Sequence, residues 1–198
     1  MSIKHTKKIL APETNFQDRF INDQVVLGKL IQTFKKQGKK IVLTQGVWDL
    51  IHEGHALYLQ VAKSYGDVLI VGVDSDELTR LRKGPNRPIV PETERIKMLV
   101  HLRHVDIVTV REVSHDIGDL IRLVCPDVLV TSSSTTDFDN KMKQEYKDYC
   151  GEIVTMPPQA TTSTTARIRN LTIEGAEELA NEVVKLTQDF LDKIKKGK

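Results

Sequence analysis

The stretch IVLTQGVWDLIHEGHALYLQVAKSYGDVLIVGVD, residues 41–74, decides the fold. It opens on the apolar run IVLTQ (41–45), which suits a short buried strand. EGHALYLQVAKSYG follows, with helical spacing and a stop at Gly66. DVLIVGVD (67–74) is a second continuous apolar run. Strands buried on both faces read this way when a helix carries the chain from one to a parallel neighbour.

The same alternation continues outward. Upstream, Val26, Leu27, Leu30, Ile31 and Phe34 mark one face of a helix that ends at Gly38. Downstream, Ser75 suits an N-cap for SDELTRLRKG, and Pro85, Pro88 and Pro91 then break the chain into a loop. PETERIKMLVHLRHV, SHDIGDLIRLVC and FDNKMKQEYKDYCG read as further helices. DIVTV (106–110), DVLVT (127–131) and EIVTM (152–156) read as further strands. The pattern predicts an α/β fold: a Rossmann-like, doubly wound, five-stranded parallel sheet with N- and C-terminal helical extensions. Residues 1–24, polar and without a clear period, are expected to form an arm. Residues 25–170 form the α/β domain, and residues 171–198 a C-terminal helical extension with amphipathic spacing.

With 198 residues, 39% hydrophobic and 28% charged, the chain fits one ordinary domain with extensions. A formal net charge of +2 gives no reason to expect a nucleic-acid groove. The basic N-terminus has no apolar segment behind it, so no signal peptide is expected, and no run is long enough for a membrane span. Cys125 and Cys150 lack metal-knuckle spacing and read as buried thiols in a reducing compartment. A cytoplasmic location is expected.

GVWDLIHEGH (46–55) places His52 and His55 three apart, where the first strand gives way to its helix. Residues three apart share a helix face, so both rings reach one target. The pair can pack locally, hold a metal or bind phosphate. A metal asks for further ligands, and HEGH lacks the HExxH spacing of zinc helices, so no protein-only metal site is expected. Phosphate is favoured by the helix start and by Gly54, which lets a ligand approach closely. His101 and His104 share the spacing but not the strand-to-helix turn, and read as ordinary surface or half-buried residues.

GVWDLIHEGH resembles the GxFDxxHxGH signature of the cytidylyltransferase-like nucleotidyltransferases. STTARIR (163–169) is similar to their second signature, and RLRKGPNRPIVPETERIKML (80–99) to the basic loop and RP…ER segment between them. The resemblance covers about residues 25–170 and is closest to the nucleotidyltransferase domain of the heptose-phosphate enzymes (ADP-heptose synthase).

The resemblance implies transfer of a nucleotidyl group from ATP or CTP to a sugar or polyol phosphate, with pyrophosphate leaving. It implies catalytic roles for His52, His55 and Lys83. Gly46, Val47, Trp48, Asp49, Gly54, Asp74, Thr162, Ser163, Thr164, Thr165 and Arg167 are then expected around the nucleotide. Asp49 is expected mainly to brace its own turn through backbone hydrogen bonds. Arg80, Arg82 and Arg95 are expected at the acceptor phosphate. Mg²⁺ would arrive with the triphosphate. The partners implied are a nucleoside triphosphate and a phosphorylated small molecule, with no nucleic acid and no membrane, in a homodimer.

Several positions depart from the pattern. Trp48 replaces Phe or Tyr, Gln45 replaces Asn, and TSSSTTDFD (131–139) stands where the heptose enzymes carry a KGGD-type stretch. The base and the acceptor therefore stay open. One alternative is a CTP-dependent enzyme acting on glycerol phosphate or an amino-alcohol phosphate. Another is a non-catalytic nucleotide-binding module, which the intact histidines and STT argue against. An aminoacyl-tRNA synthetase fragment fits less well, for want of a KMSKS-like loop.

Overall fold

The computed structural model describes residues 3–133, 135, 138–159 and 164–196, with side chains undescribed at 3, 164, 165 and 189–196. The expected strands are present: β1 (Ile41–Gly46), β2 (Val68–Asp74), β3 (Ile107–Arg111), β4 (Val128–Ser132) and β5 (Glu152–Met156). They form one five-stranded sheet in the order β3-β2-β1-β4-β5. Every pairing is parallel, with Leu43 beside Ile70 and Leu129.

Side-chain alternation along each strand builds a core on both faces. Ile41, Leu43, Ile70 and Ile107 face Leu27, Leu30, Ile31 and Phe34 of α3 (Gln24–Lys36) and Ile121 and Val124 of α7 (Asp119–Val124). Val42, Leu69, Val71 and Val73 face Leu59 and Ala62 of α4 (Glu53–Ser64) and Ile96, Leu99 and Val100 of α6 (Glu92–His101). The connection after β1 crosses to one side and that after β4 to the other. Their carboxyl ends therefore form the topological switch point, where open sheets of this kind bind ligands. The short helix α5 (Asp76–Lys83) follows β2, and α8 (Asn140–Tyr146) precedes β5.

The expected N-terminal arm is instead part of the core. Residues 1–24 contain α1 (Ile3–Ile9) and α2 (Phe16–Arg19), Ile9 and Ile21 are buried, and Phe20 bridges to Val108 beside β3. Asn15 and Asp18 cap α2 reciprocally. The hydrophobic residues here are too sparse to show a period: α1 contributes Ile9, and Ile21 follows α2 on the way to α3. The chain divides into compact units at Met1–Thr161 and Thr162–Lys198, earlier than the expected break at residue 170. The second unit is one helix, α9 (Thr164–Lys196), of 33 residues. Cys125, expected to be buried, is exposed at the end of α7, where it adopts a left-handed cap (φ 42°); Cys150 is half-buried. Among the described residues no helix is long and apolar enough to cross a membrane.

Candidate active site

β1 delivers the chain to the switch point at Gly46, and the next residues make a tight turn. Trp48 and Leu50 both take left-handed backbone angles, with φ 59° and 45°. Such angles are unfavourable for large side chains and persist only where the surroundings hold them. The Trp48 ring is buried, its Nε1 donates to the Gly72 carbonyl at 3.0 Å, and its edge meets the His55 ring at 5.6 Å between centroids. The larger ring at this position is thus a floor beneath the histidines.

His52 is the N-cap of α4, and its Nδ1 accepts from the Gly54 N–H at 3.1 Å. The His52 N–H in turn donates to Nδ1 of His55 at 3.4 Å, and the two rings lie 4.1 Å apart. A ring nitrogen that accepts a hydrogen bond carries no proton, so each neutral imidazole keeps its proton on Nε2. Burial, and secondarily the neighbouring His52, push His55 down to about 4, against an opposing pull from Asp49. His55 is neutral at physiological pH: an Nε2–H donor in the first turn of a helix, at the positive end of its dipole. Such a site suits an oxygen that gains negative charge.

Tyr58, which sequence reading passed over, locks α4 to the sheet. Its hydroxyl pairs with Thr44 Oγ1 at 3.0 Å and donates to the Val130 carbonyl at 3.2 Å, joining β1 and β4 at the switch point. Burial raises its pKa to about 12, so it stays protonated.

The expected acidic residues are buried and already engaged. Asp49 accepts from the N–H groups of Ile89 and Val90, each at 2.9 Å, and pairs with Arg87 Nε at 2.9 Å. It therefore ties the loop after α5 to the histidine turn through backbone hydrogen bonds. Asp74 accepts from Nε and Nη2 of Arg111 at 2.9 and 2.7 Å and also pairs with Arg82. Both carboxylates are held by protein donors.

Arg95 requires a further correction. Expected at the acceptor phosphate, it is completely buried. Its guanidinium donates to the carbonyls of Val90 at 2.9 Å and Asp74 at 2.9 Å, to Asp76 Oδ1 at 2.6 Å, and to the Val47 carbonyl. It is an internal strut joining the histidine turn, the end of β2 and the start of α6. Sequence placed it in the ER motif, beside Glu94, but did not show that its helix face points inward. Arg111, not expected at all, is buried at the end of β3. A charge closing an apolar strand was the available signal.

Arg80 and Lys83 are exposed in the last turn of α5, which Gly84 caps with φ 96°. Arg82, on the same helix, is half-buried toward Asp74. Gly46, Val47, Trp48, Asp49, His52, Gly54 and His55 are thus brought together at the β1–α4 turn, with the α5 cations on the following connection. Thr162 and Ser163 lie outside the described residues. Thr164 and Thr165 begin α9 and Arg167 is exposed on it, all within the second unit.

The sequence model of the cytidylyltransferase-like family matches residues 43–171. The chain belongs to the cytidylyltransferase-like family. It is a nucleotidyltransferase by that membership, and the matched span contains both the histidine turn and the start of α9. Among curated relatives, the Bifunctional protein HldE of Desulfatibacillum aliphaticivorans is 39% identical over 142 residues, covering 72% of this chain and 29% of that protein. The protein of the same name from Helicobacter pylori (strain G27) is 46% identical over 115 residues, covering 58% and 24%. The chain thus spans under a third of the length of these relatives. Among solved structures, the lipopolysaccharide core biosynthesis protein from Thermoplasma volcanium GSS1 superposes with a TM-score of 0.54 at 28% identity, covering 60% of this chain and 97% of that one. Cytidylyltransferase-like membership accounts for the parallel sheet and for the histidine pair at its switch point.

Proposed function

We propose that this chain transfers a nucleotidyl group from a nucleoside triphosphate to a sugar phosphate, most like heptose 1-phosphate adenylyltransferase. The acceptor phosphate oxygen attacks the α-phosphorus, and pyrophosphate leaves. One observation carries the reading: a neutral, half-buried His55 and a capping His52 share a helix start at the switch point, each with its proton on Nε2. Similarity to HldE proteins and to a lipopolysaccharide core biosynthesis protein supports a heptose acceptor and ATP.

A phosphate monoester is already an oxyanion at neutral pH, so no strong base is required. Catalysis rests on alignment and on charge stabilisation. The Nε2–H groups of His52 and His55, with the N–H groups at the turn of Val47 and Trp48, donate to the α-phosphoryl oxygens. Lys83 and Arg80, exposed in the last turn of α5, meet substrate phosphates. By resemblance to the family's second signature, Thr162, Ser163, Thr164, Thr165 and Arg167 are assigned to the leaving pyrophosphate. A Mg²⁺ ion carried on the triphosphate would neutralise its charge. The engagement of Asp49 and Asp74 by N–H donors and arginines fits an ion held mainly by the nucleotide.

The deciding experiment is pyrophosphate release from ATP or CTP with Mg²⁺ and a panel of phosphates: heptose 1-phosphate, glycerol phosphate and phosphoethanolamine. Release with ATP and heptose 1-phosphate alone is the expected result. Release only with CTP and a polyol or amino-alcohol phosphate replaces the substrate assignment, and no release with any pair removes the enzymatic reading. The proposal includes a cytoplasmic homodimer. Exposed Leu171, Leu179, Val183 and Leu186 on α9 support self-association, which light scattering of the purified chain tests.

A further inference from the structure

The loop between α5 and α6 is stitched to the histidine turn from both sides. Asp49 Oδ1 and Oδ2 accept from Val90 and Ile89, while Arg95 links the Val90 carbonyl to the Val47 carbonyl. The side chain of Asp49 is 1% exposed, so the carboxylate has no freedom to swing. Arg87 projects from this stitched unit. Its side chain is 22% exposed, with Nε 2.9 Å from Asp49 Oδ2.

That contact is an ion pair without an aligned hydrogen bond, since the Nε–H has no acceptor in line. Among the described residues, the Arg87 side chain has no partner other than Asp49, while its backbone N–H donates to the Gly84 carbonyl at 3.2 Å. The neighbouring arginines differ: Arg95 is saturated by carbonyls and Asp76, and Arg111 is clamped on Asp74 and the Ile117 carbonyl. Arg87 alone of these three keeps its N–H donors uncommitted while a buried carboxylate fixes its position. A guanidinium anchored at its Nε side presents Nη1 and Nη2 as a parallel pair, a spacing that matches two oxygens of one phosphate.

We propose that Arg87 is a substrate-binding residue that grips a phosphate group at the histidine turn through Nη1 and Nη2, with Asp49 as its positioning residue. The inference rests on the nucleotidyltransferase reading and adds to it a ligand contact in the 84–91 loop. The phosphate belongs to the triphosphate or to the acceptor, and the test separates the two.

Arg87→Gln and Arg87→Lys are compared with the parent in steady-state pyrophosphate release, varying ATP and heptose 1-phosphate in turn. If another pair proves active in the substrate panel, that pair is used. The Gln variant is expected to raise the KM of one substrate by about ten- to a hundredfold, that substrate being the one whose phosphate Arg87 holds. The Lys variant, which keeps the charge but loses the fork, is expected to recover only part of the effect. Arg87→Gln leaves Asp49 with its two backbone N–H donors but without its cation, so some loss of thermal stability is expected; a KM rise confined to one substrate with kcat little changed separates a ligand contact from a structural one. KM and kcat within about twofold of the parent for both substrates overturn the proposal, as does full recovery by Lys. Should the parent turn over no pair, titration with inorganic tripolyphosphate decides. Weaker binding by Arg87→Gln then upholds the contact even though the enzymatic reading has failed, and equal binding overturns both.

Discussion

The backbone N–H of His52 donates to Nδ1 of His55 across 3.4 Å, so the second histidine positions the first while holding its own ring in one tautomer. His55→Ala removes an Nε2–H donor and one half of this cap together. Turnover is expected to fall by about 10²- to 10³-fold, with a smaller change in triphosphate affinity. His55→Asn separates the two roles, because its side-chain oxygen still accepts from His52 N–H. Steady-state kinetics that found Asn fully active would reduce the residue to a cap.

Acid is expected to destabilise the fold through the same residue. His55 titrates near 6.5 when unfolded and near 4 when folded, burial being the main cause. Between those values the unfolded chain binds the extra proton. The contribution is complete above the unfolded value and is lost progressively as pH falls toward the folded one, with a size on the order of 2–3 kcal/mol. Thermal melts at neutral and mildly acidic pH check this. His55→Gln is expected to show a shallower loss on acidification than the parent, and parallel losses would contradict the assignment.

Arg95→Met is expected to cost about 3–5 kcal/mol, because it strands three carbonyls and Asp76 in the interior. Chemical denaturation measures the loss. Were Arg95 a phosphate ligand instead, the variant would fold with parental stability and lose only substrate affinity.

Ile9→Ala tests the N-terminal segment. Ile9 is 1% exposed within the core, whereas the adjacent Leu10 is 38% exposed. The first substitution is expected to cost about 2–4 kcal/mol and Leu10→Ala only a few tenths, by denaturant titration. Equal, small effects would return residues 1–24 to the status of an arm.

The strands and the histidine turn were legible because each is a local pattern. Continuous apolar runs mark β1 and β2, and Gly46, His52, Gly54 and His55 lie within a single turn. Observed strand limits differ from expected ones by about a residue, since hydrogen-bond register rather than composition ends a strand. What composition did not reveal was the direction of side chains across distance. Arg95 and Arg82 stand in the same basic segment, yet one points into the core and the other toward Asp74. Asp74 meets Arg111 from 37 residues away, and Asp49 meets Val90 from 41. Such pairings are decided when helices settle on the sheet, and neither spacing nor charge announces them. Ile9 and Ile21 escaped notice for the complementary reason: one anchor in a seven-residue helix and one in the extended segment after α2 leave no period to read.

Because Asp49 and Arg95 tie the 84–91 segment to the residues ahead of His52, that segment is not a modular cassette. Grafting the corresponding stretch from a relative with different acceptor preference would carry over the tip but sever its anchorage, unless the recipient turn offers a carboxylate and an arginine in the same places. Chimeras exchanged at the two stretches together should inherit the donor's selectivity intact, whereas single-stretch exchanges should yield folded but indiscriminate catalysts.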